Sequence, residues 1–308
     1  MSRVAAVDCG TNSLRLLVAD YDESTGTLRE VERRTTIVRL GQGVDRTRQF
    51  APVALARTLA TVDDYARVIA AAGVDATRFV ATSAARDVRN RDDLIRGVRS
   101  RLGVQPEVIG GGEEARLCYD GATHELVGRA DVIPPLVVLD IGGGSTELVS
   151  RGGPGDQIRG QSLDIGAVRL TERHLASDPP TRAELQAVRD DVDAALRTLE
   201  DPLPSTGTLI GVAGTVTTMA AMVLGLSGYD RSRVHLAWLA LDELLVATDR
   251  LVAMSVAARA ALPFMDPGRA DVIAAGALVL TGVLRSAGVS GVLVSEHDIL
   301  DGIAWSIT

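Results

Sequence analysis

The chain has 308 residues, 46% of them hydrophobic, enough to bury two cores of ordinary domain size. Its formal net charge is −8 and 3% of its residues are aromatic, which argues against a general nucleic-acid binder, since that function needs a basic face and rings on which bases stack. Every basic residue is an arginine, whose fork suits phosphate; the two cysteines, Cys9 and Cys118, and the lack of a signal-like leader lead us to expect a reduced, cytoplasmic protein. The first predicted elements are strands near 3–8 and 14–20, with a third inside 28–39. A helix over 54–72, rich in Ala, Leu and Val, ends at Gly73 and leads to a strand at 78–82 with Phe79 and Val80 in its core. That strand runs into TSAARDVRN. Thr82 and Ser83 are expected to cap the following helical turn, and Arg86, Arg89 and Arg91 gather three cations at a strand end, where open α/β sheets put ligands; a solvated basic turn is the plainer reading.

A helix over 91–102 and a strand near 105–109 come next, then GGGEEARLCYDGA at 110–122. Glu113 and Glu114 fall in the first turn of a helix, where the N-terminal dipole favours carboxylates. The three glycines before them suit a hinge or the close approach of a substrate better than a cap. Residues 136–139 form a buried strand that enters DIGGGSTELV, Asp140 to Val149. Gly142, Gly143 and Gly144 have no Cβ, so their backbone can take positive φ and come close to a ligand, with successive N–H groups forming a concave anion nest. Asp140 and Glu147 are carboxylates for a cation or water, and Ser145 and Thr146 are hydroxyls for phosphate oxygens. Alone, the stretch also reads as an ordinary glycine-rich hairpin. However, Asp8, Gly10 and Ser13 repeat the spacing of Asp140, Gly142 and Ser145 at an offset of 132 residues, which points to two lobes of related design, each presenting a phosphate-binding hairpin.

Further along, SLDIGAVRLTERHL predicts a helix from about Gly166, with free N–H groups and Arg169 available to a ligand. Helices are expected over 181–199, 241–253 and 269–287, the last with Gly276 permitting close packing and Arg269 and Asp271 at its start. From Pro202 to Tyr229 no residue is charged, but prolines and glycines break the stretch into a strand at 208–212 and a buried helix at 215–225, so no membrane span is expected. His124, His174, His235 and His297 show no ligand spacing, and dedicated zinc is not expected.

DCGTNSLRL, TSAARDVRN, GGGEEARL, DIGGGSTELV, SLDIGAVRLTERHL, GVAGT, GRADVIAAG and SEHDILDG stand in the order seen in the exopolyphosphatase and guanosine pentaphosphate phosphatase (Ppx/GppA) family, which the whole chain resembles. The resemblance implies an α/β, two-lobed fold of the actin-like, sugar kinase and Hsp70 (RNase H-like) superfamily with its active site in the inter-lobe cleft. The first lobe would be 1–124 plus a helix at 298–308, the second 125–297. It implies a Mg²⁺-dependent phosphoanhydride hydrolase removing the terminal phosphate of inorganic polyphosphate, with guanosine pentaphosphate as the alternative substrate, no nucleic-acid or membrane partner, and room for a homodimer. On that basis Thr11, Asn12, Ser13, Gly142, Gly143, Gly144 and Ser145 would cradle phosphates, Arg86 would neutralise charge, and Asp140 would hold Mg²⁺. Glu114, aligned with the family's catalytic glutamate, would position the attacking water, with Glu147 as the other candidate. The usual SExGLREG is SEHDILDG here, so Asp298 replaces a glycine and Leu300 an arginine, and that arginine's contacts are lost. Two other classes share the hairpins: an ATP-using kinase or ATPase, and a non-catalytic sensor of phosphorylated nucleotides.

Overall fold

Continuous apolar runs at the start of the chain form β1 (Ser2–Cys9) and β2 (Ser13–Asp22), an antiparallel hairpin whose residues are largely buried. The computed structural model describes residues 1–130, 132–152, 157–200 and 207–308. They divide into two units, Met1–Gly121 with Asp298–Thr308, and Ala122–His297. In the first, β3 (Thr27–Ile37) and the turn α1 (Val44–Thr47) lead to α2 (Pro52–Ala72), β4 (Ala76–Ala81), the turn α3 (Ser83–Arg86), α4 (Arg91–Leu102), β5 (Glu107–Val108) and α5 (Gly111–Thr123). The sheet order is β3-β2-β1-β4-β5, with β4 parallel to β1 and β5 parallel to β4. Helix α2 shows why its sequence is helical. Pro52 occupies the first turn, Ala54, Thr58, Thr61, Val62 and Tyr65 recur on one buried stripe, and Gly73 ends the helix in the left-handed region. Tyr65 is buried, and its hydroxyl donates to the Leu14 carbonyl at 2.8 Å.

The second unit contains β6 (Leu136–Ile141), β7 (Thr146–Gly152), β8 (Gln157–Leu163), α6 (Ala167–His174), α7 (Arg182–Leu196), β9 (Thr208–Val212), α8 (Ala213–Val223), α9 (Arg231–Val234), β10 (Trp238–Ala240), α10 (Leu241–Val252), α11 (Val256–Ala260), α12 (Ile273–Ala287) and β11 (Gly291–Val294). Its order, β10-β11-β9-β6-β7-β8, repeats that of the first unit read from the other edge, with β10 added. The recurrence of the DxGxxS spacing thus reflects a repeated α/β sheet. Helix α13 (Ile299–Trp305) belongs to the first unit. It meets α5 backbone to backbone: a Cβ on Gly302 would lie 1.9 Å from the Leu117 carbonyl oxygen, and one on Gly121 equally close to that of Asp298.

Several element boundaries differ from expectation, among them the ends of α7 and α13, each three residues short. The strand near 105–109 is only Glu107–Val108. The helix expected over 269–287 begins at Ile273 after a short 3₁₀ turn at Pro267–Arg269, because Asp266 caps that turn by accepting from the Gly268 N–H; Arg269 and Asp271 therefore precede the helix. Helix α8 starts at Ala213, whose φ of 63° turns the chain sharply out of β9. Pro202 and Pro204 of the uncharged stretch lie outside the described residues. No helix among the described residues is long and apolar enough to cross a membrane.

Candidate functional site

The second unit holds the Asp140–Val149 hairpin. The Gly142 N–H donates to the Ser145 carbonyl at 3.0 Å and closes the turn. Carbonyls on the other side are tied down by the start of α6: Ala167 N–H donates to Gly142 O, and Val168 and Arg169 N–H both donate to Gly143 O, at 2.9, 2.9 and 3.0 Å. The Arg169 guanidinium, buried, donates to Gly144 O at 2.6 Å. In a planar trans peptide C=O and N–H point opposite ways, so fixing these three carbonyls directs the N–H groups of Gly143, Gly144 and Ser145 away from α6, as an anion nest requires. The structure corrects one expectation: the first N–H groups of α6 and the Arg169 Nε serve the glycine loop rather than a ligand. Gly142, Gly143 and Gly144 do not use the positive φ open to them; among the described residues, left-handed glycines lie at turns and helix ends such as Gly43, Gly73 and Gly288. Close approach demands glycine at 166, where a Cβ would lie 2.5 Å from the Gly143 oxygen.

Asp140 and Glu147 are directly paired across β6 and β7 and so share one face. An all-oxygen pair of this kind offers the hard donors that Mg²⁺ prefers. Glu147 is buried and accepts from the Ser162 hydroxyl at 2.8 Å. Thr146 is also buried, but its hydroxyl donates to the Ile165 carbonyl at 2.5 Å and so braces the hairpin.

The first unit repeats the turn. Gly10 N–H donates to Ser13 O at 3.0 Å. Its carbonyls are held by the segment after β3: Val38 and Arg39 N–H donate to Asn12 O at 2.9 and 2.8 Å, and Gly41 N–H to Thr11 O at 2.8 Å. By the same peptide geometry, the N–H groups of Asn12 and Ser13 point the other way. Asn12 Oδ1 is buried without a hydrogen-bond partner, which marks a place for a donor the chain does not supply. At the position equivalent to Glu147 stands Arg15, paired with Asp8 in register and 3.8 Å from its carboxylate.

Glu114 lies in the first turn of α5, buried, where it pairs with Arg86. Burial raises its pKa above the ordinary glutamate value, opposed by the Arg86 charge and by hydrogen bonds from Arg86 and Thr82. Arg86 also donates to the Ile109 carbonyl at 3.2 Å. Thr82 and Ser83 do not cap the turn α3 as expected: Thr82 bonds Glu114, and the Ser83 hydroxyl meets that of Thr11 at 2.9 Å. In the sequence Asp8 stands out only by its spacing to Gly10 and Ser13. In the structure burial pushes its carboxyl up to about 7, Arg15 works against this, and the charges of Asp298 and Glu114 add to it. The substitution at 298 has a structural role, because Asp298 caps α13 by accepting from the Leu300 N–H at 3.0 Å and holds Arg15 at 2.7 Å.

Glu125, His235 and His297 come within 4.8 Å of one another, a grouping that spacing alone did not suggest. The Glu296 N–H donates to His235 Nδ1 at 3.1 Å, so the ring proton sits on Nε2 and points at Glu125, 2.6 Å away. That proton occupies the position a metal would need. Glu296 itself accepts from the Tyr229 hydroxyl and pairs with Arg231 at 3.4 Å.

Comparison with known proteins agrees with the motifs. The model of the Ppx/GppA phosphatase family matches residues 17–307. The chain is 48% identical over 322 aligned residues to exopolyphosphatase 2 of Mycobacterium tuberculosis, covering 100% of this chain and 99% of that one. Among solved structures, an exopolyphosphatase-like protein matches with a TM-score of 0.90 at 41% identity, over 99% of this chain and 97% of its own. The Aquifex aeolicus Ppx/GppA family member matches with a TM-score of 0.80 at 29% identity, over the same shares.

Proposed function

The chain belongs to the Ppx/GppA phosphatase family, and from that premise we propose that it is an exopolyphosphatase, releasing the terminal phosphate of inorganic polyphosphate by in-line attack of water. The observation that carries the reading is the pair of hairpins whose carbonyls are tied back at Thr11, Asn12 and Gly142 to Gly144, which turns backbone donors toward an anion without help from a base or sugar. Thr11, Asn12 and Ser13 in one unit and Gly142 to Ser145 in the other bind phosphate oxygens. Such a reaction depends mainly on positioning and on stabilising charge spread over phosphoryl oxygens. Glu114 orients the water and accepts its proton; burial makes it a stronger base than an exposed glutamate. Arg86 shifts between Glu114 and the substrate's charge. Asp140, with Glu147 across the strand, would hold Mg²⁺, which supplies neutralisation of the phosphate oxygens when bound.

The 48% identity to a protein named exopolyphosphatase 2 supports this substrate over ATP. With 3% aromatics the chain has few rings for a purine pocket, so guanosine pentaphosphate is the slower substrate. Short chains are preferred over very long ones. Phosphate release from tripolyphosphate, chains of several hundred units, guanosine pentaphosphate and ATP, with and without Mg²⁺, tests all of this. Higher kcat/KM for the nucleotide would overturn the substrate, transfer from ATP to an acceptor would put the chain among the kinases, and undiminished release without divalent metal would remove Mg²⁺.

A further inference from the structure

Strand β4 ends at Ala81, and the residue after it is tied to the chain through both of its backbone groups. Thr82 N–H donates to the Cys9 carbonyl at 3.2 Å, beside the turn of the first hairpin, and its own carbonyl accepts from the Ala85 and Arg86 N–H groups at 3.0 and 3.2 Å. The Ala81 carbonyl accepts from Ile109 N–H at 3.1 Å, and the following residue, Gly110, accepts at its carbonyl from Glu114 N–H at 3.0 Å. Main chain therefore links the first hairpin, Thr82 and the first turn of α5. The Thr82 hydroxyl makes no cap for α3 and donates instead to Glu114. Thr82 is 6% exposed, and its branched Cβ restricts the hydroxyl to few rotamers.

Glu114 thus has two donors of unlike freedom. Arg86 is long and partly exposed, and it divides its N–H groups between Glu114 and the Ile109 carbonyl, so it is able to follow charge on a phosphate. Thr82 is short, buried and neutral, and its bond changes neither with the substrate's approach nor with pH. We propose that Thr82 is a positioning residue for hydrolysis: its hydroxyl holds the Glu114 carboxylate in one orientation while Arg86 turns to the substrate's charge. This rests on the exopolyphosphatase reading and adds the group that keeps its base in place. The terminal torsion of a glutamate is broad and two-fold, so a carboxylate without a fixed donor does not keep one lone pair on the water. A buried carboxylate that Arg86 has left, with no other donor, takes up a proton and is lost as a base. The charged groups that face Glu114 are Arg86 on α3 and Asp8 on β1, whose own carboxyl the Glu114 charge pushes up. Neither replaces Thr82, because one moves to the substrate and the other repels.

Thr82→Val keeps the shape and removes the donor, and Thr82→Ser keeps the donor. Phosphate release from tripolyphosphate at several pH values gives kcat and KM. Carbon NMR of protein labelled at its glutamate carboxyls, with the signal assigned by its absence from Glu114→Gln, follows the Glu114 titration whether or not the protein turns over. In Thr82→Val, kcat should fall roughly ten- to a hundredfold with KM within about twofold, and the acid limb and the Glu114 titration should both move up by about one pH unit. Thr82→Ser should restore all three, and Thr82→Ala carries the same test if the valine variant folds poorly. A raised KM with unchanged kcat would make Thr82 a phosphate contact and overturn the proposal. An unmoved Glu114 titration, or a serine variant as impaired as the valine one, would reduce Thr82 to packing and overturn it equally. Absence of phosphate release from the unsubstituted protein, with the titration still displaced in Thr82→Val, would overturn the hydrolase while supporting the hold of Thr82 on Glu114.

Discussion

Replacing Glu114 with Gln removes one charge at nearly constant shape, and both stability and rate then report on it. The side chain is 9% exposed, and burial outweighs Arg86 in setting its pKa, so its folded value lies above the unfolded one. A carboxyl of that kind binds its proton more tightly when folded. Its contribution to stability is fully present below the unfolded pKa and is lost as pH rises through the folded one. Wild-type protein should thus lose stability relative to Glu114→Gln as pH rises above the ordinary glutamate value of about 4 and through the higher folded one, with the two closest at the acid end. Rate should move the opposite way. Loss of a general base costs about two to four orders of magnitude in kcat, or about 3–5.5 kcal/mol of barrier, and the wild-type acid limb should lie above the ordinary glutamate value. Urea melts at several pH values and steady-state phosphate release measure both. A variant within tenfold of wild-type kcat would refute the role and transfer it to Glu147; a variant that is less stable at neutral pH than wild type would refute the electrostatic account of Glu114.

Gly166→Ala places a Cβ 2.5 Å from the Gly143 oxygen, so the glycine loop must move off α6. We expect about 1–3 kcal/mol of destabilisation by denaturant melts, together with weakened phosphate binding by calorimetry; unchanged affinity would mean that the nest does not depend on this contact. Asp140→Asn should raise the half-saturating Mg²⁺ concentration at least tenfold while leaving thermal stability within about 0.5 kcal/mol, and an unchanged metal titration would remove Asp140 from the ion's shell.

Much of the fold was legible because its signals are local. The apolar runs of β1, β6 and β9, the buried stripe of α2 and the glycine at position 73 each settle their own element. Less local features were not. Whether Arg169 faces a ligand or the Gly144 carbonyl depends on where α6 docks, which no pattern within SLDIGAVRL encodes. Thr82 looked like a cap because threonine before a helical turn usually is one, but a buried carboxylate, Glu114, competes for its hydroxyl more strongly than backbone N–H groups do. Glu125, His235 and His297 follow α5, α9 and β11, so their grouping depends on how those elements pack and on nothing local.

The repeated hairpins match in their turns and differ at one paired position. Asp8 and Asp140 occupy matching strand positions, and the turn bonds from Gly10 and Gly142 are both 3.0 Å long. Opposite Asp8 stands Arg15, itself held at 2.7 Å by Asp298. Opposite Asp140 stands Glu147, a second carboxylate. If the pair in the second hairpin holds Mg²⁺, as proposed, a guanidinium there would repel the ion as it repels cations beside Asp8. An exchange at that position, Glu147→Arg, should therefore abolish any response of phosphate affinity to Mg²⁺ while leaving binding itself measurable. Persistence of the metal response in that variant would mean that the ion is held by residues other than this carboxylate pair.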